Sequence, residues 1–293
     1  MQKNLRIASV LALAATALVT TLRITLLPSL QEPVTGLFRL SWLIIGVMLV
    51  FVAAALWLCL SARKAPTPAI SDYTATSRSP VGVIMVVTGF VILAESLWLM
   101  LGGLLFEVAP AINVLDSAAK VLSILSGFAG GAAFVWIGSC LIGAGVKEGN
   151  RSGLAMWFPV IWMWFRLVRY EVSHATAIRV EQSFYDFAML IFIMLFLFSF
   201  AQYISGVSRA KSQWKLIFYA LCTMVTSLSG SIARVIMYFM SDEAAFNSGR
   251  LAGVSDFFIG ILSLGLLATF IFAKYTERTA EEMPSETAGI PAE

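Results

Sequence analysis

Five ionisable residues stand inside otherwise apolar runs of this chain: Glu95 in VILAESLW, Arg166 in WFRLVR, Asp186 in FYDFAM, Arg234 in SIARVI and Asp256 in GVSDFF. An ionised group in hydrocarbon is costly, so such residues turn toward a bundle interior, a wet cavity or a counter-ion. Arginine presents its donors in a flat fork that can grip a carboxylate at two points. An acid deep in a span can carry a proton or touch a ligand. The chemistry within reach is ion pairing, recognition of a small anionic or zwitterionic solute, and proton coupling.

Spacing sets the expected partners. A helix rises about 1.5 Å per residue, which puts Arg166 roughly 10 Å from a helix end near Ser173. Asp186 opens the next apolar run. Arg234 lies six residues before Met240, and Asp256 five residues into the run that follows. Short loops make consecutive helices antiparallel neighbours, so spacing predicts Arg166 with Asp186 and Arg234 with Asp256. Glu95 is eleven residues from Phe106, roughly 16 Å in and close to the midplane. Thr88, Glu95 and Gly102 share its helix face. Arg23, Arg39, Asp116, Lys120 and Arg169 are expected to snorkel to headgroups or to hold helix ends.

Hydroxyls add a second pattern. Thr223, Ser227, Ser231 and Arg234 are spaced by four, four and three, so they line one helical stripe. They can form a polar track toward the arginine, or bond helix carbonyls and glue helices together, and the second use is the expectation. Ser227 and Ser231 join Glu95, Arg166, Asp186, Arg234 and Asp256 as the candidate ligand-binding or coupling set. Gly127, Gly131, Gly138 and Gly145 form a small-residue groove for close helix packing, against a partner within the chain or in a second copy.

One fragment has a relative in enzyme chemistry. Tyr185-Asp186 and Gly253-Val254-Ser255-Asp256 faintly resemble the YD and GxGD motifs of intramembrane aspartyl proteases. That resemblance implies two aspartates sharing a proton. The second motif departs from the pattern at its second glycine, and Arg234 could neutralise one acid. The sequence holds no P-loop, GxSxG or CxxC, and its single histidine, His174, excludes HExxH and multi-histidine metal sites. No catalytic residue, metal site or cofactor is expected.

The rest of the chain must position these groups. Of its 293 residues, 59% are hydrophobic and 13% charged, more apolar surface than a soluble domain of this length could bury. A net charge of +3 without a basic cluster gives no reason to expect nucleic acid. The partners expected are a lipid bilayer, a small anionic or zwitterionic solute, and a packing helix or second copy. Cys59, Cys140 and Cys222 sit in apolar runs as packing residues.

A spanning helix needs about 20 mostly apolar residues. The pattern predicts an all-α transmembrane bundle over 1–275. Its eight spans fall near 5–27, 37–60, 81–106, 114–145, 153–173, 182–205, 214–240 and 251–275. The basic start and first apolar run look like a secretory signal but lack a convincing cleavage site, so a retained span is expected. Residues 61–80, rich in Pro, Ser and Thr, form a linker, and 276–293 a short acidic, disordered tail.

Loop charge orients the bundle. Lys3, Arg6, Arg63, Lys64, Arg78, Lys147, Arg151, Arg209, Lys211, Lys215, Lys274 and Arg278 fall on one side; only Arg179 and Arg250 fall on the other. The positive-inside rule then puts both termini in the cytoplasm of a cell-membrane protein. The alternation requires 153–173 to cross, arginines included. A small-solute transporter or permease with an outward-facing charged cavity over a midplane acid is the leading expectation. A membrane sensor or accessory subunit that signals through a partner helix is the alternative, and an intramembrane enzyme the remote one.

Overall fold

The computed structural model describes residues 2–29, 41–61, 80–105, 114–143, 150–174, 180–205, 209–239 and 254–272. They form helices α1 (Gln2–Ser29), α2 (Ser41–Ser61), α3 (Pro80–Leu105), α4 (Val114–Ile142), α5 (Asn150–Ala155), α6 (Trp157–His174), α7 (Val180–Ile204), α8 (Arg209–Phe239) and α9 (Val254–Phe272). No strand occurs among the described residues. The tail and all but the ends of the 61–80 linker lie outside them, as do the side chains of Arg39, Asp116 and His174.

Seven helices are long and apolar enough to cross a bilayer: all but α5 and α6. Of the eight crossings expected from the apolar runs and their loop charges, seven meet this requirement on length and composition. The difference is α6, an 18-residue helix carrying Arg166, Arg169 and Glu171. Its N-terminal piece is separated as α5 by a turn at Met156. Pro159 explains that break, because it has no N–H to donate to the Ala155 carbonyl and is tolerated only in a first helical turn.

Packing closes six helices into a ring. α3 packs on α4, α4 on α6, α6 on α7, α7 on α8, α8 on α9, and α9 returns to α3. α1 lies against α8 and also meets α9, while α2 covers α1 and α8. Within its spanning stretch α8 is 89% buried, against 17% for α2. α8 can therefore hold small and polar side chains away from lipid, whereas α2 offers an almost wholly apolar outer surface. Trp157 with Phe198, centroids 5.5 Å apart, and Tyr170 with Phe187, 6.5 Å apart, fix α6 and α7 as antiparallel neighbours. The three cysteines are free thiols.

Glycines set the closest approach. A Cβ on Gly89 would stand 2.7 Å from the Gly131 carbonyl oxygen, and one on Gly138 2.7 Å from that of Gly82. The groove on α4 therefore meets a matching glycine face on α3, with backbone against backbone. Gly127 lies where α3 and α6 converge on α4, and Gly145 lies outside the described residues.

A substitution pair tests this contact. Gly89→Ala is expected to lower the melting temperature despite the roughly 1 kcal/mol of helix propensity it gains, because the colliding atoms are backbone. Gly46→Ala, with nothing within 4 Å of its Cβ, should be neutral or stabilising. Equal melting of the two purified variants would contradict the α3–α4 packing.

Candidate functional site

The site is built from three helices of the ring. Arg166 leaves α6 on the face of Trp162, one turn earlier, whose ring lies under the guanidinium at 5.3 Å. Trp162 can sit there because Gly127 has no side chain. A Cβ on Gly127 would lie 3.1 Å from the Trp162 indole nitrogen and would collide with the Ser96 hydroxyl. Held in this way, Arg166 reaches Asp256 on α9 in a fork: Nη1 donates to Oδ1 at 2.5 Å and Nη2 to Oδ2 at 2.8 Å. Nη1 also approaches the Ser255 hydroxyl at 3.3 Å.

Asp256 occupies the first turn of α9, where the helix dipole favours a negative charge. Its side chain is 1% exposed, and its backbone carbonyl accepts a hydrogen bond from Ser227 of α8. The third member is Glu95 of α3, whose Oε1 stands 4.0 Å from Arg166 Nη2. Glu95 also faces the hydroxyl and backbone amide of Ser255. Its Oε2 is buried with no hydrogen-bond partner among the described residues. Two carboxylates therefore share one guanidinium, gripped firmly by Asp256 and loosely by Glu95. Neither α3 nor α9 adjoins α6 in the ring, so the cluster reaches across its interior.

A second cluster adjoins it. Arg234 Nη2 approaches Asp186 Oδ1 at 2.5 Å, off the axis of a hydrogen bond. On the preceding residue, the Tyr185 hydroxyl donates to the Thr226 carbonyl at 2.9 Å and meets Ser229 at 2.5 Å. The guanidinium of Arg23, from α1, lies over the Tyr185 ring at 4.0 Å. All these groups occupy the half of the bundle where α1, α3, α6 and α8 end and α7 and α9 begin.

Both predicted ion pairs are exchanged. Arg166 pairs with Asp256 and not Asp186; Arg234 pairs with Asp186 and not Asp256. The predicted neighbours do pack, but adjacency does not choose the face. Arg166 projects across the ring on the Trp162 face and takes Asp256, which leaves Asp186 to Arg234. The stripe on α8 lies in the groove between α7 and α9, where Thr223 donates to the Phe192 carbonyl at 2.9 Å and Ser227 to Asp256. Thr226 and Ser229 bond carbonyls of their own helix, and Ser231 is buried. Thr223 and Ser227 thus act as links between helices.

Arg23 departs furthest from expectation. It is 4% exposed, turned into the protein instead of toward headgroups. A signal existed in α1: Leu5, Ala8, Ala12, Ala15 and Val19 alternate by three and four on the buried face, and Arg23 is the next step. Arg169 is half-buried. The two aspartates of the protease-like fragment are each engaged by a different arginine. That arrangement differs from a pair of acids held together by a shared proton.

Fold and site together define the class: an integral membrane protein of the multi-pass helical kind, with an ionised interior at one end. The chain matches no protein family, no curated protein and no solved structure.

Proposed function

We propose that this protein moves a small anionic or zwitterionic solute across the membrane, coupled to protons, through the interior of its six-helix ring. The observation that carries this reading is the shared guanidinium: Arg166 is held by Asp256 and approached by Glu95, from helices that do not adjoin its own. Packing alone needs one acid per arginine. A second acid at 4.0 Å with a buried, unpartnered oxygen suits a group that gains and loses a proton. A solute carboxylate matches the fork that Asp256 now fills, and competes for it. Its arrival adds a negative charge beside Glu95, which a proton on Glu95 offsets.

Transport also requires α6 to cross, giving eight spans. Its outward face supports that: Trp157, Ile161 and Trp164 are exposed and apolar, while Arg166 turns inward. The bias of Lys and Arg toward alternate loops supports cytoplasmic termini.

Reconstituted vesicles test the reading. With an inward proton gradient, uptake of radiolabelled acetate, lactate, succinate, alanine and glutamate is compared for wild type and Arg166→Ala. At least one solute should accumulate in wild type, with uptake at least tenfold lower in Arg166→Ala. If Arg166→Ala and Glu95→Gln both transported like wild type, the proposal would fail. A stoichiometric protein partner on purification, with no transport, would favour the sensor or accessory reading.

A further inference from the structure

We propose that Arg23, Tyr185 and Gly230 form a buried site for a small monovalent anion, of halide to carboxylate-group size, separate from the Arg166 cluster. Arg23 is more than nine-tenths buried, and its Nη1 has no hydrogen-bond partner among the described residues. The guanidinium rests on the Tyr185 ring, which offsets part of its charge, and the Tyr185 hydroxyl lies within its hydrogen-bond reach, yet Nη1 itself is left without an acceptor among the described residues. Tyr185 is held in place by its own bond to the Thr226 carbonyl. A buried donor without an acceptor is costly, and a bound anion supplies the acceptor.

Space and charge point the same way. A Cβ on Gly230 would stand 3.5 Å from Met189 Sδ and Tyr185 Cε1, and 3.6 Å from Arg23 Nη1. The glycine therefore leaves room beside the unpartnered nitrogen, walled by the thioether and the aromatic ring. Among the described residues, Asp186 is engaged by Arg234 and Asp256 by Arg166. Arg23 brings one positive charge with no carboxylate paired to it among the described residues, and one monovalent anion balances that charge. Lysine or another cation has no place here, and a dianion would overshoot.

The site stands or falls independently of transport, because its test measures binding alone. Purified full-length protein in detergent is melted in sodium chloride, sodium formate and sodium gluconate at equal ionic strength. The expected result is a saturable rise in Tm of several degrees in chloride, in formate or in both, relative to gluconate. A response to formate without one to chloride assigns the site to a small carboxylate of formate size, which the larger gluconate cannot match. The rise should vanish in Arg23→Gln and in Gly230→Ala. The second variant places its methyl at ordinary contact distance, so it fills the space without displacing a neighbour or removing charge. Because alanine also favours the helix, Gly230→Ala remains informative where Arg23→Gln fails to fold. Equal Tm in all three salts for wild type overturns the proposal. So does an anion response that survives in Gly230→Ala.

Discussion

Asp256→Ala is expected to be among the most destabilising single substitutions in this protein, at about 3–5 kcal/mol, because it strands a buried guanidinium. Asp256 is 1% exposed and fills both forks of Arg166. Glu95 cannot take over without movement, since it stands 4.0 Å away and off the fork. At the usual 2–4 °C per kcal/mol for larger domains, the purified variant should melt roughly 6–20 °C below wild type. Most of that loss is the uncompensated charge and not the worth of the pair. Removing all three charges in Glu95→Gln/Arg166→Met/Asp256→Leu should therefore recover much of the lost stability. A double-mutant cycle sharpens the point. Arg166 and Asp256 should couple by at least about 1 kcal/mol, and Arg166 with Asp186 by less than about 0.5 kcal/mol. A wild-type melting temperature for Asp256→Ala, or the stronger coupling in the second cycle, would show that the partners are misassigned.

That cycle contrasts what spacing encodes with what it leaves open. The helices were legible because hydrocarbon demands long apolar runs, and seven of the eight predicted runs meet that demand on composition. That the charges gather toward one end of the bundle was legible too, because the rise per residue is fixed. Partner choice was not. It depends on which way each helix is rotated and on which non-consecutive helices meet, here α3 with α9 across from α6. Arg23 shows the same limit from the other side. Six residues from the end of α1, it could snorkel or point inward, and the buried face of Leu5, Ala8, Ala12, Ala15 and Val19 decides for the interior. The glycines of α4 announced a close contact. Naming Gly82 and Gly89 as its other half required knowing that α3 and not a second copy fills the groove, and which face α3 turns to it.

Glu95→Gln is expected to separate binding from energy coupling. Glutamine keeps the size of the side chain and its contacts with Ser255, so the fold and the Arg166–Asp256 fork should persist. What it loses is the ability to exchange a proton. On the transport reading, the wild-type cycle alternates between Glu95 charged beside Arg166 and Glu95 neutral beside a bound solute carboxylate. A permanently neutral residue holds the second condition at all times. Solute exchange between the two faces needs only that condition, so counterflow of a transported solute should stay within about twofold of wild type. Accumulation driven by a proton gradient needs both, and should fall at least tenfold, a loss of about 1.4 kcal/mol or more in driving free energy. Glu95→Asp keeps the acid one methylene further from Arg166 and should restore part of the accumulation. A purely structural Glu95 predicts a different pattern: Gln retaining accumulation, or Gln and Asp losing counterflow and accumulation together along with melting temperature. Since the two patterns differ in the ratio of the two fluxes and not in total activity, a variant that merely inserts poorly into vesicles lowers both alike and is not mistaken for an uncoupled one.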